Sequence, residues 1–177
     1  IELGLVGSEM CIRDRQKVVN RMKISKESYG KTYDGVDLYL YKIKNSNGLE
    51  VHISNYGATI LSIFTPDKND NLNDIVLGFD SLDDYQSDRN PYFGATCGRY
   101  ANRIKDGRFS IRNNVFYLPK NDNSNSLHGG IDGFDKKIWN HEINDNIVIM
   151  TRVSPDGEEG YPGNLTVRVY FSLTELN

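Results

Sequence analysis

Two dense blocks, NPYFGATCGRYANRI over residues 90–104 and NSLHGGIDGFDKKIW over residues 125–139, carry the side chains best suited to holding a ligand. Arg103 presents a rigid fork of donors and no acceptor. Asn102 offers a donor and an acceptor, and the imidazole of His128 takes either role according to its tautomer. Together they match the alternating hydroxyls of a sugar. His128 is followed by Gly129-Gly130, where the lack of a Cβ lets backbone come close to a ligand. Converting a sugar chemically also needs a positioned acid and base, and these blocks supply only part of that machinery.

Other polar residues carry less weight. Arg99 reads as a packing or ion-pair residue. His52 and His141 fall in the strand-like segments LEVHIS and WNHEI, where a structural role is the simpler account. The His141-Glu142 pair lacks the second histidine of an H-E-x-x-H zinc helix, so no metal site is expected. Asp156, Glu158 and Glu159 sit in SPDGEEGYPGNL, whose glycines and prolines mark turns. They read as solvated loop charges rather than as an acid–base pair. Trp139 enters a strand and reads as core.

The elements that must position these residues are short strands. VDLYLYKI, LEVHIS and ATILSIF succeed one another from Val36, separated by NSNG and closed by the polar loop TPDKNDNLND. GRFSIR and VFYLP flank Asn113-Asn114, and KIWNHEI and NIVIMTRV flank Asn144-Asp145, both plausible hairpin turns because Asn and Asp tolerate positive φ. SLDDYQS can form one helical turn, and LTVRVYFS alternates as a strand should. A strand about every ten residues fits an antiparallel β-sandwich in a single domain.

Composition narrows the classes. The 177 residues are 38% hydrophobic and 11% aromatic, ordinary for one globular domain, and a net charge of −3 without a basic stripe excludes a nucleic-acid surface. No apolar run reaches the roughly 18 residues of a membrane span. Cys11 and Cys97 form no framework and suit reduced thiols in a cytoplasmic protein. Residues 1–21 share no pattern with the rest of the chain, and VGSEMCIRDR resembles translated sequencing-adapter read-through. We therefore expect a non-native leader over 1–21 and a natural start at Met22.

NYGATI at 55–60, DIVLGFDSLDDY at 74–85, the two dense blocks and SPDGEEGYPGNLTVRVYFSLT occur in an order that resembles the aldose 1-epimerase (galactose mutarotase) family. The 25-residue step from Arg103 to His128 fits as well. The resemblance covers nearly all of 22–177. It implies an all-β, antiparallel β-sandwich of the galactose-mutarotase (supersandwich) type, truncated on its C-terminal side. It further implies cofactor-free interconversion of the α and β anomers of a free aldose, with Asn102, Arg103 and His128 contacting the sugar. The family's catalytic histidine, in an NHxYFNL-like motif, and its late catalytic glutamate have no counterpart here. Neither does a substrate-binding aspartate. Residues 22–177 are thus expected to be the N-terminal part of such a domain, inactive alone, with acid and base beyond Asn177. Two other readings remain open: a non-catalytic carbohydrate-binding β-sandwich, and a hexose-phosphate epimerase, for which no basic cluster is evident.

Overall fold

The computed structural model describes residues 22–175, so the expected leader over 1–21 lies outside the described residues. Strands β1 (Lys23–Lys31), β2 (Asp37–Lys44), β3 (Glu50–Ser54), β4 (Thr59–Pro66) and β5 (Leu72–Asp74) form an antiparallel meander in that order. A single helical turn, α1 (Leu82–Gln86), comes after it, with Ser81 capping the Asp84 N–H. Two small ribbons come next: β6 (Arg103–Ile104) with β9 (Ser126–Leu127), and β7 (Arg108–Ile111) with β8 (Asn114–Tyr117). A second antiparallel meander, β10 (Asn140–Asn144), β11 (Ile147–Ser154) and β12 (Leu165–Phe171), completes the described fold. The expected all-β antiparallel sandwich is the fold observed. Among the described residues no helix is long and apolar enough to cross a membrane.

Alternation builds the interior. Tyr41 and Ile43 of β2 and Val51 and Ile53 of β3 point to one face, where they meet Trp139, Val148 and Met150. Val167, Val169 and Phe171 of β12 close the same cluster. Burying both inner faces against each other is what joins the two meanders. Trp139 is fully buried, its indole N–H donating to the Phe134 carbonyl at 3.1 Å, so its core reading holds. Backbone bonds reinforce the join: Trp139 N–H donates to Asn55 O at 2.9 Å and Gly57 N–H to Lys137 O at 2.7 Å.

Three local expectations shift. Strand β1 has no signal in the hydropathy pattern, because KISKESYGK is mostly polar; it is an outer strand whose ladder partner, β2, carries the buried residues. The polar loop TPDKNDNLND contains the short strand β5. Both hairpin turns lie one residue from the expected pairs. Ile111 pairs with Asn114 and Asn144 with Ile147, leaving Arg112-Asn113 and Asp145-Asn146 as the loops. Arg112 and Asp145 take the positive φ, at 54° and 51°. Pairing across each whole ladder sets the register and outweighs the turn preference of a single Asn.

The hydroxyl of Tyr41 is buried with no hydrogen-bond partner among the described residues. Tyr41→Phe is therefore expected to leave stability unchanged or raise it by about 1 kcal/mol, whereas Trp139→Ala is expected to cost about 3–5 kcal/mol. Urea unfolding of the two variants checks both signs.

Candidate functional site

The ribbon β6–β9 brings the two dense blocks together, with Arg103 opposite Leu127 and Ile104 opposite Ser126. Just beyond the ladder, Asn102 and His128 both adopt left-handed backbone, with φ of 69° and 52°. Non-glycine residues hold that conformation only when their surroundings determine it. Here the pair determines itself. Asn102 N–H donates to His128 Nδ1 at 3.0 Å, and His128 N–H donates to Asn102 O at 3.1 Å. The Asn102 side-chain oxygen accepts the Arg103 N–H at 2.9 Å, which leaves its amide hydrogens as the groups available to a ligand.

Arg103 is about half exposed, and its Nε donates to Asp122 Oδ2 at 2.5 Å. One edge of the guanidinium is thus fixed while its terminal nitrogens can fork onto a ligand. Burial and the positive charge of Arg103 both hold the His128 imidazole below its ordinary pKa, so the ring is neutral at physiological pH. Its Nδ1 is already occupied by the Asn102 backbone N–H. Tyr92 packs edge-on against the imidazole, ring centres 4.6 Å apart. Side by side, a guanidinium fork, a carboxamide and an imidazole can hydrogen-bond hydroxyl and ether oxygens.

The loops that carry these groups meet backbone to backbone. A Cβ on Gly129 would lie 1.7 Å from the Gly98 carbonyl oxygen, and one on Gly130 would lie 2.0 Å from Glu159 Oε2. Glu159 also accepts the Ile131 N–H at 2.8 Å. Arg99 binds Ser154 Oγ and the carbonyls of Ser154, Pro155 and Pro162 at 2.7–2.9 Å. It is the expected structural arginine, acting through hydrogen bonds that tie the first block to the end of β11.

The expectation of solvated charges in SPDGEEGYPGNL is corrected for Glu158. Its side chain is only 15% exposed, paired with Arg152 and hydrogen-bonded by Ser154. Burial alone would raise this carboxyl, but those hydrogen bonds outweigh it and hold the pKa below the ordinary range. Glu159 is likewise engaged, whereas Asp156 caps the Gly163 N–H at the surface.

Sequence reasoning missed three supporting residues. Asn121 donates to Leu127 O at 2.9 Å and Gly130 O at 2.7 Å, and accepts the Leu127 N–H at 2.7 Å, bracketing His128 on both sides. Asp122 steadies Arg103, and Tyr92 covers the imidazole. The first two lie in KNDNSNS, where the density of Asn and Asp signals only turns. Arg103 also borders a largely apolar cleft of about 460 Å³ together with Tyr100, Ile104, Phe109 and Tyr161, which neither Asn102 nor His128 lines. Among the described residues no group of three or more His, Cys, Asp and Glu is placed to hold a metal ion.

Fold and site together define an antiparallel sandwich with a polar, loop-borne site matched to oxygen ligands. The family model for aldose 1-epimerase matches residues 39–177, and the chain belongs to that family. It is 48% identical over 128 residues to galactose mutarotase of Rattus norvegicus, covering 72% of this chain and 37% of that protein. It is 40% identical over 145 residues to aldose 1-epimerase of Haemophilus influenzae, covering 81% and 42%. The crystal structure of galactose 1-epimerase from Lactobacillus acidophilus superposes with a TM-score of 0.73 at 31% identity, covering 87% of this chain and 45% of that one. The chain therefore spans less than half the length of these relatives.

Two measurements probe this geometry. Gly129→Ala must place a Cβ against the Gly98 carbonyl at a positive φ of 100°, and is expected to destabilise the chain by about 2 kcal/mol or more in chemical denaturation. The lowered pKa of His128 means the folded chain binds that proton less readily than the unfolded one. Its contribution is complete above about pH 6.5 and is lost as pH falls from there toward the folded pKa. His128→Gln should flatten that part of the stability–pH curve, and an unchanged slope would contradict the assignment.

Proposed function

We propose that this chain forms the sugar-contacting wall of an aldose 1-epimerase that interconverts the α and β anomers of free hexoses such as glucose and galactose. The observation that carries the reading is the reciprocal Asn102–His128 lock beside the Arg103 fork, in a chain that belongs to this family. Arg103, Asn102 and His128 are the proposed substrate-binding residues. In the reaction a base takes the proton of the C1 hydroxyl and an acid protonates the ring oxygen. The ring opens, the C1–C2 bond rotates, and the ring closes on the opposite face. No cofactor is needed.

Three carboxylates around the site suit support better than proton transfer. Asp122 is committed to Arg103, Glu158 to Arg152 and Ser154, and Glu159 to the Ile131 N–H. A general base must be within reach of the proton it takes. We accordingly place the catalytic acid, a histidine, and the base, a glutamate, in sequence following Asn177, and the complete enzyme in the cytoplasm. The same commitment of carboxylates favours the second reading, a non-catalytic carbohydrate-binding sandwich.

Polarimetry of freshly dissolved α-D-glucose and α-D-galactose should show no acceleration by the 177-residue chain over buffer. Rapid equilibration would sink the assignment of acid and base to following sequence. In calorimetric titration with galactose, Arg103→Ala is expected to weaken binding at least about tenfold, the scale of a lost hydrogen bond to a charged group. Reading the gene past the codon for Asn177 separates the two readings. An open frame reaching an Asn-His loop and a late glutamate supports the epimerase, and an immediate stop supports the binding module.

A further inference from the structure

We propose that Asn121 and the backbone N–H of Asn102 act as positioning groups that fix His128 as its Nε2–H tautomer, making it a one-way donor to an acceptor oxygen of the ligand. An imidazole in solution exchanges its proton between two nitrogens and can serve as donor or acceptor at either. At this site one nitrogen is already taken. The Asn102 N–H has no proton-free form, so the ring nitrogen 3.0 Å from it must present a lone pair. The proton is thereby placed on Nε2, for which no partner is found among the described residues.

Asn121 holds the ring in that position by gripping the chain on both sides of it. Its Oδ1 accepts the N–H of Leu127, and its Nδ2 donates to the carbonyls of Leu127 and Gly130. The same amide lies 3.4 Å from the hydroxyl of Tyr92, whose ring packs against the imidazole. Backbone and ring are therefore referred to a single side chain. The functional consequence is a division of labour. A His128 locked this way cannot take a proton from a hydroxyl, so its partner on the ligand is a lone pair, such as that of a ring ether or a hydroxyl oxygen. Only the identity of that oxygen rests on the sugar-site reading; the tautomer does not.

Long-range proton–nitrogen correlation spectra of the histidine-labelled chain, recorded above the ordinary histidine pKa of about 6.5, read the tautomer directly. His52→Gln and His141→Gln assign the three rings. The spectra hold their own contrast, because Lys26 donates to His141 Nε2 at 3.0 Å and so requires the opposite tautomer there. For His128 the expected result is an unprotonated Nδ1 and a protonated Nε2. In Asn121→Ala the two nitrogens should move toward an averaged mixture, and Asn121→Asp, which keeps the acceptor but loses both donors, should fall between. A proton on Nδ1 of the unmodified chain overturns the proposal, as does a spectrum unchanged in both variants. The wild-type tautomer decides even if Asn121→Ala fails to fold. Added galactose should shift Nε2 more than Nδ1. No response to galactose with the tautomer intact overturns the sugar reading and leaves the positioning role standing.

Discussion

The site depends on a place where two backbones touch with nothing between them. Gly98 and Gly129 lie so close that one methyl group would collide with a carbonyl. That approach brings the first block against the second and allows the two-residue ribbon of Arg103–Ile104 and Ser126–Leu127 to form. So short a ladder contributes few hydrogen bonds and could not hold two long loops by itself. Close packing supplies the constraint, and the ribbon reads out its register. Arg103, Asn102 and His128 occupy their positions because small residues elsewhere gave up their side chains.

Around that contact, charged groups serve as fasteners. Arg99 donates to the Ser154 hydroxyl and to the carbonyls of Ser154, Pro155 and Pro162, and so spans from the end of β11 to the loop that precedes β12. Arg152 and Glu158 neutralise each other where both are mostly buried, which offsets the cost of removing either from water. Together these contacts fasten the site loops to the second meander. The rigidity of the candidate site is thus drawn from the sandwich core through a few polar rivets.

The sandwich is legible in the sequence because alternation reports burial: Tyr41 and Ile43, and Val51 and Ile53, each mark one face of a strand. Arg103, Asn102 and His128 stand out in the sequence because their types and glycine-rich setting are unusual, and the structure brings them side by side. Strand β1 is not legible, since its polar sequence holds its place through ladder bonds, which leave no trace in hydropathy. Asn121 and Asp122 are hidden for a related reason. An Asn that organises a loop has the same composition as one that merely turns it, and only the partner identifies the role. Glu158 is misleading in sequence because turn-forming neighbours describe the backbone and say nothing of where a side chain points.

The pairing of Arg103 with Asp122 bears on how a guest arrives. Its net charge is already cancelled, so the fork projects little field beyond its own reach. The pair by itself would then steer an approaching guest only weakly. A guest bearing a phosphate would meet a carboxylate next to the cation it sought. By its own field, such a pair would favour molecules with no charge to trade.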